Sequence, residues 1–396
     1  MLNFDKKNKC FGCTACKKVC PKKAIEMKEN EDGFLEPYII EEKCIKCGMC
    51  EKKCPALNYK EEEKISPVKT VSAYKKDNND YREYTSGGIF FEIAKLVIEE
   101  KGYVCGCIWD DEMNAKHIVS NNIDIVRKMQ TSKYVQSDLN DCFEQIEKLT
   151  QKGTKVLFTG TACQIAGLKS AIDNNDLLYT CEIVCHGVPS PKVWKKYVNY
   201  VEKKEKSKLK NVNFRYKGKY GWITPYSKYY FENGKEKMFL TYNEDIYLQG
   251  FSKSLFYRSS CYSCIYKGKK SLSDLIIGDF WGCSSELLAA TNNRGISIVL
   301  VNSEKGNELL DKIYEYYNVR EEKLKEVVTE NSPIIKPVSP NSKRTDFFEK
   351  LNYLDDKKMV KKIKEMTFDK KTYIKGVMYK MGILEKIKVK KYKRTH

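Results

Sequence analysis

Eight of the 17 cysteines stand in one repeated pattern. Cys10-x2-Cys13-x2-Cys16-x3-Cys20-Pro21 recurs as Cys44-x2-Cys47-x2-Cys50-x3-Cys54-Pro55. This is the two-cluster ferredoxin run, in which the fourth Cys of each run ligates the other [4Fe–4S] cluster. The spacing predicts one cluster on Cys10, Cys13, Cys16 and Cys54, and a second on Cys44, Cys47, Cys50 and Cys20. Zinc sites usually present two separated pairs instead. Disulfides need an oxidising compartment, and Met1 to Asp5 shows no signal-peptide pattern. A segment this short has little core of its own, so bound metal is expected to hold it together.

The chain of 396 residues has room for about two to three domains at about 150 residues each. Apolar residues make up 41%, enough for an ordinary core, and no apolar run approaches the ~18 residues of a membrane span. A cytoplasmic protein in a reducing compartment is expected. The formal charge is +19, and Lys357 to His396 is dense in lysine. Basic stripes bind phosphate, but no nucleic-acid recognition motif accompanies this one, so no nucleic acid is expected. A solvated helix face and tail suits the composition, and an acidic electron-transfer partner would suit the charge.

Residues 1–60 form the ferredoxin-type region, and a charged linker from Tyr59 ends at Ser66-Pro67. Beyond it strands and helices alternate. Val68 to Tyr74 and Tyr103 to Trp109 read as strands, flanking a helix that Ser86 caps and Gly102 ends. Leu139 to Lys152 reads as a helix ended by Gly153. Lys155 to Gly160 is a strand leading into Thr161-Ala162-Cys163, with a helix from Gln164. Leu177 to Val184 is a strand ending at Cys185-His186-Gly187, Asn233-Gly234 is a hairpin turn, and Gly295 to Val301 is the last clear strand. Pro333 to Pro340 reads as an extended linker. The alternation argues for an α/β body with an antiparallel extension.

Nine cysteines remain. Cys163, Cys185, Cys261 and Cys264 fall at element ends or in loops, where ligands converge. Cys105, Cys107, Cys142 and Cys181 lie in apolar elements, where Cys is usually a small core residue. Cys283 is ambiguous. Spacing leaves a further cluster, four unrelated thiols, and a Cys261/Cys264 redox pair open.

Thr159-Gly160-Thr161-Ala162-Cys163-Gln164, Cys185-His186-Gly187-Val188-Pro189-Ser190-Pro191 and Ser273 to Gly282 (SDLIIGDFWG) stand in a recognisable order. Ser86-Gly87-Gly88 and Ser132-Lys133-Tyr134-Val135-Gln136-Ser137 accompany them. Over about residues 68–315 the chain resembles the coenzyme F420 hydrogenase/dehydrogenase β subunit family, and the ferredoxin-type region matches its longer members. The resemblance implies an α/β (α+β) flavin/iron–sulfur body behind a small βαβ-like bacterial ferredoxin domain. A flavin-binding region at 68–152 would precede a core cluster region at 153–320, with a linker and basic helical tail at 333–396.

The resemblance further implies FAD beside a third [4Fe–4S] cluster on Cys163, Cys185, Cys261 and Cys264. The flavin site would draw on Ser86, Gly87, Gly88, Ser132, Lys133 and Tyr134, with Gly160 and Thr161 offering a similar turn. Glycines at a helix start let N–H groups approach a phosphate. Lys133 would stabilise reduced flavin, and His186 would tune the cluster or carry a proton. The family usually has Pro where this chain has Ala162, and Cys283 is an extra thiol able to replace Cys261 or Cys264. Arg215 and Trp222 are candidates for a substrate pocket, with a surface ion pair the plainer role for Arg215. With three clusters, each about −2, the net charge falls to about +13. The implied reaction passes electrons between a one-electron donor, a ferredoxin or partner redox subunit, and a small-molecule hydride acceptor such as coenzyme F420. The alternative is a non-catalytic subunit that wires a partner enzyme.

Overall fold

The computed structural model describes residues 10–59, 63–77, 79–173, 175–381 and 383. Met1 to Asp5 and the last residues of the basic tail lie outside them. The ferredoxin-type region pairs β1 (Ile25–Glu29) with β2 (Leu35–Ile39), antiparallel, between one-turn helices Ala15–Lys18 and Met49–Lys52. The duplication is visible in the backbone. Gly12 and Lys46, then Thr14 and Gly48, hold equivalent places in the two runs, and all four have positive φ. Such alternation turns successive N–H groups toward one centre, an anion-binding concavity.

The body is built on strands β3 (Lys69–Lys75), β4 (Tyr103–Trp109), β5 (Ala115–Ser120), β6 (Val156–Gly160) and β7 (Leu178–Ile183). An antiparallel excursion follows, β8 (Leu209–Tyr216), β9 (Tyr226–Phe231) and β10 (Glu236–Leu240). The chain then returns through β11 (Leu275–Asp279), β12 (Ser297–Val301) and β13 (Tyr317–Glu321). The main sheet has eight strands in the order β13-β3-β12-β11-β7-β6-β4-β5. β4, β6, β7 and β11 are mutually parallel, whereas β12 runs against both β11 and β3. β6 and β12 are buried along their whole length, as an apolar strand covered on both faces must be.

Helix Ile89–Glu99 covers one face of the sheet, burying Ile89, Ile93 and Val97 with Val71, Leu157 and Val299. Helices Cys142–Gln151 and Ala162–Ala171 cover the other, around Phe143, Phe158 and Ile165. One sheet thus spans residues 69–321.

Several local expectations change. Gly88, not Ser86, is the helix N-cap. Ser86 has φ 56°, and its Oγ donates to the Ile296 carbonyl at 2.6 Å. At the other end Lys101 takes the left-handed turn, and the Gly102 N–H closes on the Val97 carbonyl. β13 extends the sheet beyond the strand expected to be last, and Ser332–Ile334 is a 3-10 turn. The basic tail is not simply solvated. Helices Arg344–Leu351 and Asp356–Thr367 bury Phe347, Phe348, Leu351, Met359, Val360 and Ile363 in a core shared with β8, β9 and helix Pro191–Glu205.

The ferredoxin-type region is also anchored by protein contacts. Phe34 is buried in that same core. Gln136 brackets Leu35, accepting from its N–H at 2.9 Å and donating to its carbonyl. Buried Arg258 donates to the carbonyls of Leu35 and Cys10 and pairs with Glu36 at 3.1 Å. Arg344 pairs with Asp32 at 2.7 Å.

Candidate functional site

A cavity of about 490 Å³ opens where β6, β7 and β11 end, with Gly160, Ile183 and Asp279 in its wall. The carboxyl ends of parallel strands are where open α/β sheets bind ligands, and the volume suits a small-molecule or cofactor site. Ser86, Gly88, Ser132, Lys133, Tyr134, Gly160, Thr161 and His186 all line it. Gly87 does not. Its N–H donates to Ser297 Oγ at 2.9 Å, and the Gly88 N–H donates to the Thr85 carbonyl. A Cβ on Gly87 would sit 2.4 Å from the Ala73 carbonyl oxygen. Within the Ser-Gly-Gly corner the Gly87 donor is thus used against β12 and the Gly88 donor within the corner itself.

Lys133 is also differently employed. Its ammonium donates to the carbonyls of Lys128 and Gln130 at 2.7 Å and of Thr131 at 3.3 Å. An ammonium has three N–H donors, so Lys133 ties off the 128–131 turn and has none left for a ligand. Burial lowers it to about 8. His186 accounts for one ring nitrogen. Tyr257 Oη donates to the Phe251 carbonyl at 2.7 Å, so it accepts from His186 Nδ1 at 3.0 Å. Burial, then the nearby Lys267 ammonium, lowers the imidazole's affinity for protons. The neutral ring protonated at Nδ1 leaves Nε2 as an acceptor.

Two further groups in the wall belong to no sequence motif. His117 is buried, its Nε2 lies 3.1 Å from the Thr159 carbonyl, and its Nδ1 has no partner among the described residues. Burial lowers it to about 4, so Nδ1 is a bare acceptor. Thr85 Oγ1 is likewise buried without a partner among them. Orphaned polar atoms around a cavity mark where a polar ligand completes the bonding. The signal for His117 would have been the alternation within β5, where Ala115 and His117 share the buried face. Arg215 lines the cavity but is not a surface residue. It pairs with Asp279 at 3.1 Å and lies over the Trp281 ring at 5.0 Å. Trp222 is buried, donates to the second Asp279 oxygen at 2.6 Å and stacks on Trp281.

Cys163 and Cys185 stand in the same wall. Thr161 caps helix Ala162–Ala171, with its N–H held by Gln164 Oε1 at 2.9 Å. Cys163 is therefore in the first helical turn, where N–H groups and the dipole favour a thiolate. Burial pushes the Cys163 thiol well up, and Cys264, Cys185 and Cys261 push it the same way. The structure thus brings together the four cysteines that the family resemblance singled out. Lys267 donates to the Cys185 carbonyl and, with burial opposing it, favours the thiolates of Cys185 and Cys264. Cys283 lies elsewhere, packed with Trp281 and Phe280 and acted on by Glu322. Cys105, Cys142 and Cys181 are core residues, whereas Cys107 reaches the cavity.

In the ferredoxin-type region burial raises Cys13 and Cys16, and Cys10 and Cys54 act on both. Cys50, of the other expected set, acts on Cys16 as well. Backbone N–H groups reach sulfur at Gly12 (3.3 Å to Cys10) and Ala24 (3.2 Å to Cys20). Cys47, of the other set, is exposed. Among the described residues no group of three His, Cys, Asp or Glu is close enough to hold a single metal ion. The two thiol sets nearly meet. A Cβ on Gly167, one turn after Cys163 on the same helix, would fall 2.7 Å from the Cys13 Cβ.

Family models match two stretches of the chain. The model for the C terminus of the coenzyme F420 hydrogenase/dehydrogenase beta subunit matches residues 153–327. That for a 4Fe-4S dicluster domain matches residues 9–58. Among solved structures the chain is similar to one in the xenon-derivatised F420-reducing [NiFe] hydrogenase complex from Methanosarcina barkeri. The identity is 19% and the TM-score 0.45, over 77% of this chain and 91% of that one. No curated protein matches. No helix among the described residues is long and apolar enough to cross a membrane. Residues 153–327 are thus similar to the C terminus of the coenzyme F420 hydrogenase/dehydrogenase β subunit family, and residues 9–58 to a 4Fe-4S dicluster domain.

Proposed function

We propose that this protein is an iron–sulfur flavoprotein oxidoreductase of a reducing, cytoplasmic compartment. It would exchange electrons with a ferredoxin or partner redox subunit and pass them to a small-molecule hydride acceptor, coenzyme F420 or another organic substrate. The observation that carries the reading is the shared wall: a cofactor-sized cavity at the strand ends is lined by two members of a half-buried four-cysteine set. Cys163, Cys185, Cys261 and Cys264 would hold a core cluster. The interleaved sets Cys10, Cys13, Cys16, Cys54 and Cys44, Cys47, Cys50, Cys20 would hold two more.

FAD would occupy the cavity against Ser86, Gly88, Ser132, Tyr134, Gly160 and Thr161, and when bound it supplies the exchange between single electrons and hydride. His117 Nδ1 and Thr85 Oγ1 offer it unmet hydrogen-bonding capacity. His186 Nε2 accepts a proton or hydrogen bond in the same wall. Lys133 ties off the 128–131 turn.

The test is an anaerobic reduction of the purified protein by a reduced ferredoxin, followed in the visible spectrum. Flavin bleaching is expected in the parent and not in Cys185→Ala, which should lose one cluster's iron and keep the N-terminal pair. Equal bleaching and equal iron in both would overturn the assignment. Exposure of Ile45 at 56%, beside exposed Cys47, also suits a subunit that only docks and wires a partner. Turnover of an acceptor by the isolated chain separates the two readings.

A further inference from the structure

The seam between the two thiol sets contains a pair of tyrosines whose hydroxyls are unmet. Tyr266 follows Cys264 by two residues. Its ring meets Phe11, which lies between Cys10 and Cys13, edge-on at 5.4 Å. It also meets Tyr59, beyond Cys54, at 6.2 Å and 85°. The hydroxyls of Tyr266 and Tyr59 are both buried, and both lack a hydrogen-bond partner among the described residues. A buried phenol normally finds an acceptor, and leaving one unmet costs about 1–3 kcal/mol. Two unmet donors on touching rings point to an acceptor that the described residues do not supply. Tyr266 thus stands between Cys264, two residues before it in sequence, and the rings of Phe11 and Tyr59, which flank Cys10, Cys13 and Cys54 in sequence.

Resting on the cluster assignment above, we propose that Tyr266 is a positioning residue between the core cluster and the nearer N-terminal one. Its hydroxyl donates a hydrogen bond to a sulfur of the core cluster, and its ring fills the gap between the two. Tyr59 serves the N-terminal cluster in the same way. Donation to a cluster sulfur favours the more negative, reduced state, which raises the reduction potential. Tyr266 gives up neither an electron nor its proton. It sets the level of the core cluster relative to its neighbour, and so the direction in which electrons run downhill.

The experiment uses the full chain, purified anaerobically, with iron counted first. About 12 Fe per chain keeps the cluster assignment, and about 8 Fe ends it before Tyr266 is tested. Potentials are then read by EPR-monitored redox titration in the parent, Tyr266→Phe and Tyr59→Phe. Tyr266→Phe is expected to keep its iron and to lower the core potential by about 59 mV, tenfold in the one-electron equilibrium. Tyr59→Phe is expected to move the N-terminal cluster instead. Proton ENDOR on the parent, before and after exchange into D2O, needs no variant. It should show an exchangeable proton coupled to the reduced core cluster, and Tyr266→Phe should lack it. An unchanged potential at full iron, or no such proton in the parent, would overturn the proposal and leave the phenol bonded to trapped water.

Discussion

Gly167→Ala tests whether the ferredoxin-type loop is packed on the helix that carries Cys163. In a helix interior this substitution ordinarily stabilises by about 1 kcal/mol, because glycine is the worse helix former. Here the added methyl would meet the Cys13 Cβ at 2.7 Å and the Cys13 carbonyl oxygen and Sγ at 2.9 Å. Ordinary carbon contacts lie at about 3.5–4.0 Å, so helix and loop must part by about 1 Å. Overpacking of this kind costs about 1–3 kcal/mol. Set against the helix gain, the net is a loss of about 0–2 kcal/mol. For a chain of this length that lowers Tm by no more than about 3 °C. The second readout is the magnetic coupling between reduced clusters in EPR, which should weaken as the two thiol sets separate. Differential scanning fluorimetry and EPR on the same anaerobic preparation suffice. A Tm that rises by about 1 °C with unchanged coupling would show only the helix gain, and would refute the packing of Cys13 against this helix.

Ala162→Pro should stabilise the cluster turn. Ala162 is the first helical residue, where the N–H needs no intrahelical partner, and Thr161 before it is extended at ψ 161° as a pre-proline residue requires. A gain of about 0.4–1 kcal/mol is expected, read as a small rise in Tm, and a fall would mean that the Ala162 N–H is used. His117, at about 4 when folded against 6.5 unfolded, takes up protons only in the unfolded state between those values. It therefore costs stability as pH falls from about 6.5 toward 4, amounting at pH 5 to about 2 kcal/mol. His117→Phe should flatten this acid limb in Tm measured from pH 7 to pH 5, and an unchanged slope would contradict the buried neutral ring. Lys267→Gln removes the cation nearest Cys185 and Cys264. The core cluster should then be harder to reduce, with a lower midpoint in an EPR-monitored titration, and no shift would place Lys267 outside its electrostatic reach.

Periodicity and spacing carry expectation a long way in this chain. The cysteine runs, the strands before Cys163 and Cys185, and the hairpin at Asn233-Gly234 depend on local pattern, and the structure places them close to where the pattern does. What local pattern hides is who meets whom. Ser86-Gly87-Gly88 has the composition of a phosphate-binding corner, but its donors and space are taken by Ser297 and Ala73 from distant strands. Lys133 has the charge of a flavin partner, yet three carbonyls of its own turn absorb it. Attachment of the ferredoxin-type region rests on Phe34, Gln136, Arg258 and Arg344, pairs separated by a hundred residues or more in sequence. The packing of the basic tail was legible in principle. Phe347 and Leu351, and Met359 and Ile363, repeat at the helical interval that marks a buried stripe.

Iron and flavin content after strictly anaerobic purification tests the central claim most directly. Three clusters and a bound flavin predict about 12 Fe and one FAD per chain. About 8 Fe and no flavin, in protein with its N-terminal clusters fully loaded, would contradict the account and leave the cavity and the four cysteines beside it without their proposed chemistry.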